Sequence, residues 1–308
     1  MSRGRILVIR GGAIGDFILT LPALAALRKQ FPQTYLEVLG YPHIASLATL
    51  AGSANAVRSI EAKALAGFFA RGGELDGAMG DYFAGFNIIL SYLYDPDEIF
   101  RTNVGRCSKA QFIAAPHRPS DDGEIHATDV LLRSLQQLAI FEADPTPRID
   151  VGVSRDDRLI AVHPGSGSEK KNWPETQWAG LLRSIVAKTN WRVLIVGGEA
   201  EQDRLQRLAS ILPVDRLHIA VNQPLTTVAR RLAGARAFIG HDSGITHLAA
   251  AVGTRTIVLW SETNEKVWAP RGVRVELLRD ERGLPHLRTE RVFAAAAKVV
   301  NDAEGSRM

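Results

Sequence analysis

The sequence predicts an α/β protein built from two doubly wound, Rossmann-like halves, because one three-part unit occurs near the start, in the middle and near the end. Each unit is a short apolar run, a turn of small residues and a helix with apolar periodicity. The runs are 5–10, leading into Gly11 and Gly12; 159–163, leading into Pro164 and Gly165; and 237–240, leading into Asp242, Ser243 and Gly244. A continuous run of β-branched and apolar residues is the mark of a strand buried on both faces of a parallel sheet. Strands alternating with helices then give the α/β class. At 308 residues the chain exceeds the usual single domain, so two domains are expected.

Composition narrows the class further. Hydrophobic residues make up 46% and charged residues 23%, enough to bury a real core. The formal charge of +4 comes from scattered arginines and not from a basic run. That pattern suits an anionic small ligand or an anionic membrane face, and argues against nucleic acid as a partner. Cys107 is the single cysteine, which excludes an intramolecular disulfide and a multi-cysteine metal site. The start, Met-Ser-Arg-Gly-Arg, lacks a signal-peptide core, and no apolar run reaches the roughly 18 residues of a membrane span. A cytoplasmic protein is expected. Peripheral contact with a membrane stays open through Leu65, Phe68, Phe69 and Arg71, which read either as an amphipathic surface helix or as a core-facing one.

In chain order, the run 5–10 is a buried strand and 17–31 a helix stopped by Pro32, with Pro22 early in it. Gly-Gly-x-x-Gly in the turn does not match the dinucleotide fingerprint in register. Asp16 follows Gly15 at the helix start, where a carboxylate serves as a cap, as a general base at the mouth of the domain, or as both. Strands follow at 35–40, 56–60 and 87–92, with helices at 43–50, within 65–86 and at 126–138; an apolar piece lies at 110–114. The proline-bearing stretch 144–150 is the expected boundary, giving domains 1–150 and 151–308.

The second half repeats the design. The strand 159–163 opens into a loop, Pro-Gly-Ser-Gly-Ser-Glu-Lys-Lys-Asn-Trp-Pro, ahead of a helix at 175–188. Hydroxyls, two glycines, Lys170 and Lys171 before a helix start suit a diphosphate, although the Walker ending is absent. A strand at 192–196 leads to Glu199 and Glu201, placed where an acid in such a fold holds ribose hydroxyls or simply starts a helix. Helices at 203–211, 224–233 and 289–301 and a strand at 256–260 complete the pattern. In the turn 241–244, Asp242 or Ser243 caps the helix that carries His247, and its unpaired N–H groups favour an anion.

Three blocks carry a family resemblance: Ile6-Leu-Val-Ile-Arg-Gly-Gly-Ala-Ile-Gly-Asp-Phe-Ile-Leu-Thr-Leu-Pro-Ala-Leu24, His163-Pro-Gly-Ser-Gly-Ser-Glu-Lys-Lys-Asn-Trp-Pro174 and Gly240-His-Asp-Ser-Gly-Ile-Thr-His-Leu-Ala-Ala-Ala-Val-Gly253. In this order they resemble glycosyltransferase family nine, the ADP-heptose:lipopolysaccharide heptosyltransferases. The resemblance implies a GT-B architecture, two Rossmann-like doubly wound domains facing across a cleft, with acceptor binding in the first and nucleotide-sugar binding in the second. It implies metal-independent, inverting transfer of a sugar, with ADP-heptose as donor, to a lipopolysaccharide-core or other glycolipid acceptor at the inner face of the inner membrane, and no cofactor. By matching motifs, Asp16 takes the proton of the acceptor hydroxyl, Ser166 and Lys171 hold the diphosphate, Asp242, Ser243, Gly244 and His247 hold the sugar-phosphate part of the donor, and Glu201 the ribose. One departure stands out: where the family has Phe-Gly-x-Thr, this chain has Leu259-Trp260-Ser261-Glu262-Thr263-Asn264, and the region 65–122 offers no motif for the acceptor. Two other classes share these features. A nucleotide-diphosphate-binding protein without transfer activity would bind ADP and release no product, and a nucleotide-sugar epimerase of the same shape would act on donor alone.

Overall fold

The structure is a computed structural model that describes residues 4–168 and 171–301. Its contacts divide the chain into two compact units, 1–147 and 148–308, with the division inside the proline-bearing connector.

The first unit is a five-stranded, all-parallel sheet in the order β3-β2-β1-β4-β5. Its strands are β1 (Arg5–Arg10), β2 (Tyr35–Gly40), β3 (Ala56–Ser59), β4 (Ile88–Ser91) and β5 (Gln111–Ala114). The crossovers carry helices α1 (Ile14–Ile18), α2 (Leu21–Gln30), α3 (Pro42–Leu50), α4 (Gly77–Ala84), α5 (Ile99–Gly105) and α6 (Ala127–Leu132). β1 is buried from Ile6 onward, as its unbroken apolar run requires. On one face of the sheet Leu7, Ile9 and Ile89 pack with Leu65, Phe68, Phe83 and Phe100.

The second unit is a six-stranded, all-parallel sheet in the order β11-β10-β9-β6-β7-β8. Its strands are β6 (Asp156–His163), β7 (Arg192–Gly197), β8 (Leu217–Val221), β9 (Ala235–His241), β10 (Arg255–Leu259) and β11 (Val275–Leu278). Helices α7 (Glu175–Lys188), α8 (Gln202–Ala209), α9 (Leu225–Ala233), α10 (Gly244–Ala251), α11 (Glu265–Trp268) and α12 (Thr289–Asn301) link and cover them. Counted within the unit, this strand order is that of the Rossmann fold. The core around Ile160, Val162, Trp173, Trp178 and Leu181 is shared by β6, the following loop and α7. Among the described residues no helix is long and apolar enough to cross a membrane.

Several expectations are corrected. The single helix at 17–31 is two, α1 and α2. Pro22 lacks the N–H that would bond the carbonyl of Ile18, and its ring would strike that carbonyl, so the chain turns at Leu19 and Thr20 and Pro22 falls in the first turn of α2. The helix sought within 65–86 is a 3-10 turn, Lys63–Phe69, followed by α4. Leu65 and Phe68 are buried there, so their side of the segment faces the core, while Lys63, Ala66, Phe69 and Arg71 are exposed. The helix at 126–138 tightens into a 3-10 turn after Leu132. Strands β8 and β11 had no counterpart in the sequence reading. Both are edge strands with half-exposed patterns, which removes the continuous apolar run that marks the central strands.

Candidate functional site

In a doubly wound sheet, ligands collect outside the carboxyl ends of the strands where the strand order reverses. In the first unit that point lies between β1 and β4, in the second between β6 and β9. Both ends are rich in polar side chains.

In the first unit, the ends of β1 and β4 form the wall of a cavity of about 650 Å³ lined by Arg10, Gly12, Asp16, Tyr92, Tyr94 and His117 among others. Asp16 stands in the first turn of α1, and its Oδ2 accepts the backbone N–H of Ala13 at 3.2 Å. The carboxylate is therefore both a helix-start partner and part of the cavity wall. Gly12 has φ +100°, and a Cβ there would come within 3.1 Å of Asp16 Oδ2, so the turn needs glycine for conformation and for space. Beneath the turn lies Arg10, only 5% exposed. Its guanidinium donates to the carbonyls of His117 at 2.6 Å and Asp16 at 3.1 Å, and lies 3.9 Å from Asp16 Oδ1. Burial pulls the Arg10 guanidinium down from its ordinary value, while Asp16 and Tyr92 push it back up. Thr20 Oγ1 donates to the same Asp16 carbonyl at 2.9 Å. Two donors on one carbonyl hold the Asp16 backbone in place.

In the second unit, β6 ends on His163 and β9 on His241. His241 is wholly buried. The backbone N–H of Trp173 donates to its Nε2 at 2.8 Å, which makes Nε2 the acceptor and leaves the proton on Nδ1, 3.1 Å from the carbonyl of Gly165. Burial, the largest effect, lowers the His241 pKa to about 4, against the push upward from the Gly165 carbonyl. The loop after β6 is thus clasped at both ends by one neutral imidazole. Trp173 reinforces the clasp by donating its Nε1–H to the carbonyl of Leu287 at 2.8 Å and by packing edge-on against Trp178.

The clasp sets the position of Lys171, two residues before Trp173. Its Nζ meets Asp242 Oδ2 at 2.6 Å, an ion pair in which Asp242 is nearly buried and Lys171 about one-third exposed. Ser243 caps α10 by accepting the N–H of Thr246, and Gly244 is the first residue of that helix. His247 lies buried one turn along it. Ser243 Oγ also reaches His163 Nδ1 at 3.3 Å, and His163 Nε2 lies 3.4 Å from Glu201 Oε2. Burial pushes the Glu201 carboxyl up, but the bond and charge of His163 and the N–H of Gly198 outweigh it and hold the group below its ordinary value. Glu201 lies against Gly165, where a Cβ would stand 1.4 Å from its Oε1. No side chain fits there.

Of the residues singled out in the sequence, Lys171, Asp242, Ser243 and Gly244 come together at the start of α10. Ser166 turns inward, its hydroxyl donating to the carbonyl of Ser168 at 2.7 Å. Glu201 is engaged by His163 and by the N–H of Gly198, so a ribose would have to share its carboxylate. Lys170 lies outside the described residues. Sequence reasoning missed Arg10, His163 and His241 as working parts. The last two had a visible signal, since each ends a buried central strand next to a small-residue turn. Trp260, at the departure from the family pattern, is buried and closes its own turn by donating to the carbonyl of Thr263 at 2.8 Å. Among the described residues no group of three or more His, Cys, Asp or Glu side chains is arranged to hold a metal ion.

The chain is similar to several known proteins. A Haemophilus influenzae protein named "Putative glycosyltransferase" is 25% identical over 300 residues, covering 86% of each chain. Lipopolysaccharide heptosyltransferase 1 of Pseudomonas aeruginosa is 36% identical over 107 residues, 34% of this chain and 29% of that one. The structure of the E. coli heptosyltransferase WaaC with ADP superposes with a TM-score of 0.75 at 17% identity, covering 96% of this chain and 99% of that one, a likeness of fold alone. The sequence pattern of glycosyltransferase family 9 (heptosyltransferase) matches residues 127–296, more than half of the chain, and the chain therefore belongs to that glycosyltransferase family.

Proposed function

We propose that this glycosyltransferase moves heptose from ADP-heptose to a lipopolysaccharide-core or related glycan acceptor, with inversion and without a metal ion, at the inner face of the inner membrane. The single observation that carries the reading is the Lys171–Asp242 pair beside the N-terminus of α10. A departing diphosphate needs fixed positive charge. An ammonium and the unpaired N–H groups of a helix start supply it in place of a metal.

In this mechanism the acceptor hydroxyl gives its proton to the Asp16 carboxylate as its oxygen attacks the anomeric carbon of the donor. The bond from that carbon to the diphosphate oxygen breaks, and the diphosphate leaves carrying the electron pair. Arg10, bonded to the Asp16 carbonyl, holds the base at the cavity wall. On the donor side Lys171 exchanges Asp242 for phosphate oxygens, Ser243 and Gly244 add donors, Ser166 adds another on giving up the Ser168 carbonyl, and Asp242, once released, is available to sugar hydroxyls. His247 supports the sugar-phosphate part and Glu201 the ribose. The first unit accordingly binds acceptor and the second the nucleotide sugar.

Asp16→Asn tests the assignment. ADP affinity by calorimetry should be unchanged while turnover falls by roughly two to four orders of magnitude, the usual contribution of a general base. Unchanged turnover in Asp16→Asn would reject Asp16 as the base. Conversion of donor with no acceptor present would point to an epimerase instead.

A further inference from the structure

His163, at the end of β6, is buried and has a polar partner at each ring nitrogen. Its Nε2 lies 3.4 Å from Glu201 Oε2, and its Nδ1 lies 3.3 Å from Ser243 Oγ. One imidazole thus joins the carboxylate placed at the ribose to the cap of α10, where the diphosphate is placed.

The protons follow from these neighbours. Burial raises the Glu201 carboxyl, but His163 and the N–H of Gly198 bring it below its ordinary value, so it is ionised at neutral pH. Two lone pairs facing one another across 3.4 Å would repel, so Nε2 carries a proton toward the carboxylate. In the neutral ring Nδ1 is then an acceptor, and Ser243 is its donor. The neighbouring hydroxyl of Thr246 gives its own proton to the carbonyl of His241. Ser243 Oγ is therefore committed: its proton goes to His163, and a lone pair takes the N–H of Thr246.

A phosphate at the start of α10 asks that same hydroxyl to donate. If Ser243 turns its proton to a phosphate oxygen, Nδ1 loses this donor, and a buried acceptor left without one is costly. A proton on Nδ1 removes the conflict. Nδ1–H then donates to Ser243 Oγ, Nε2–H stays toward Glu201, and the imidazolium lies between a carboxylate and a phosphate that both favour its charge. The other charged or titrating groups of this end of the sheet are Lys171 and Asp242, which pair with each other; His241, which is neutral; His247 on α10; and Arg204, whose charge reaches Glu201 and His241. All of them are there before the phosphate arrives, so the phosphate is the change.

We infer that His163 is a positioning residue of the donor site that takes up a proton when a nucleoside diphosphate binds, releasing the Ser243 hydroxyl from Nδ1 to a phosphate oxygen. The proton comes from solvent and returns to it when the diphosphate leaves. The inference rests on the proposed function, which puts the diphosphate at the start of α10. Because the bound form holds the proton more tightly than the free form, affinity is full at low pH and is lost as pH rises. An average uptake of about half a proton weakens binding about tenfold over two pH units.

The test is calorimetric titration of the full-length protein with ADP at pH 8 in two buffers of different protonation enthalpy, which counts the protons taken up. The native protein should take up about half a proton more than His163→Gln, whose amide can still donate to Glu201 but does not titrate. Between pH 7 and pH 9 its ADP affinity should fall about tenfold further than that of the variant, the ionisation of ADP itself cancelling in the difference. Nitrogen NMR of histidine-labelled native protein gives a readout that needs no variant: on adding ADP at pH 8, one imidazole should pass from the singly to the doubly protonated form. Equal proton uptake by the native protein and His163→Gln, a loss of affinity in the variant that is the same at every pH, or ADP binding with no imidazole gaining a proton would overturn the inference. Failure of the native protein to bind ADP would instead remove the function on which it stands.

Discussion

Replacing His241 offers a test in which the magnitude follows from the geometry. In the folded protein the imidazole is neutral, with a pKa lowered by burial to about 4, against an ordinary 6.5. Between those two values the unfolded chain binds a proton that the folded chain does not. Stability therefore falls as pH drops through this window and is complete above its upper end. At about 1.4 kcal/mol per pH unit the whole window is worth about 3 kcal/mol, of which about 2 kcal/mol is lost by pH 5. Because the ring is buried, solvent screening does not reduce this much. The assay is denaturant unfolding followed by tryptophan fluorescence. All five tryptophans, Trp173, Trp178, Trp191, Trp260 and Trp268, lie in the second unit, so the signal reports that unit alone. Between pH 7.5 and pH 5 the native protein should lose about 2 kcal/mol more than His241→Asn, other titrating groups cancelling in the difference. Equal slopes in the two proteins would refute a neutral, buried His241. At pH 7.5, His241→Ala should itself be destabilised by about 2–6 kcal/mol, because the Trp173 N–H and the Gly165 carbonyl each lose a buried partner worth about 1–3 kcal/mol.

Further expectations follow from the same loop. Gly165→Ala places a methyl group on Glu201 and should displace that carboxylate or the loop, weakening ADP binding tenfold or more by calorimetry; unchanged affinity would show that the loop does not shape the site. Lys171→Met should weaken ADP binding by a similar factor while shifting the unfolding midpoint little, since the partly exposed ion pair contributes at most about 1 kcal/mol to stability. Asp242→Asn removes the competitor for the same ammonium, so it should keep or tighten ADP affinity while lowering turnover with the sugar nucleotide. Loss of ADP binding in Asp242→Asn would contradict a partner exchange at Lys171.

Much of the site was legible along the chain because its parts are local. A strand end, a small-residue turn and a helix start lie within about ten residues of one another, and the helix start brings its unpaired N–H groups with it. Asp16, Lys171, Asp242 and Ser243 could be picked out for that reason. The residues that position them could not. Arg10 looked like the flank of a strand, and only its burial under Asp16 shows a charge held by backbone carbonyls. His241 looked like one polar residue in a turn, yet it clasps a loop 68 residues earlier through the Trp173 N–H. Tyr94 and His117 lie in stretches without periodicity, and they meet because β4 and β5 are neighbours in the sheet.

By itself the sequence determined the α/β class, the two halves, the central strands and the turns at which the candidate site residues stand, because apolar period and turn chemistry act over a few residues. The tertiary structure decided the edge strands, the break before Pro22, the tautomer of His241, the partner of Lys171 and the burial of Arg10 beneath the Asp16 turn. Each of these depends on which distant backbone or side chain lies within about 3 Å, and hydrogen-bond distance is set by packing, not by neighbours in the chain.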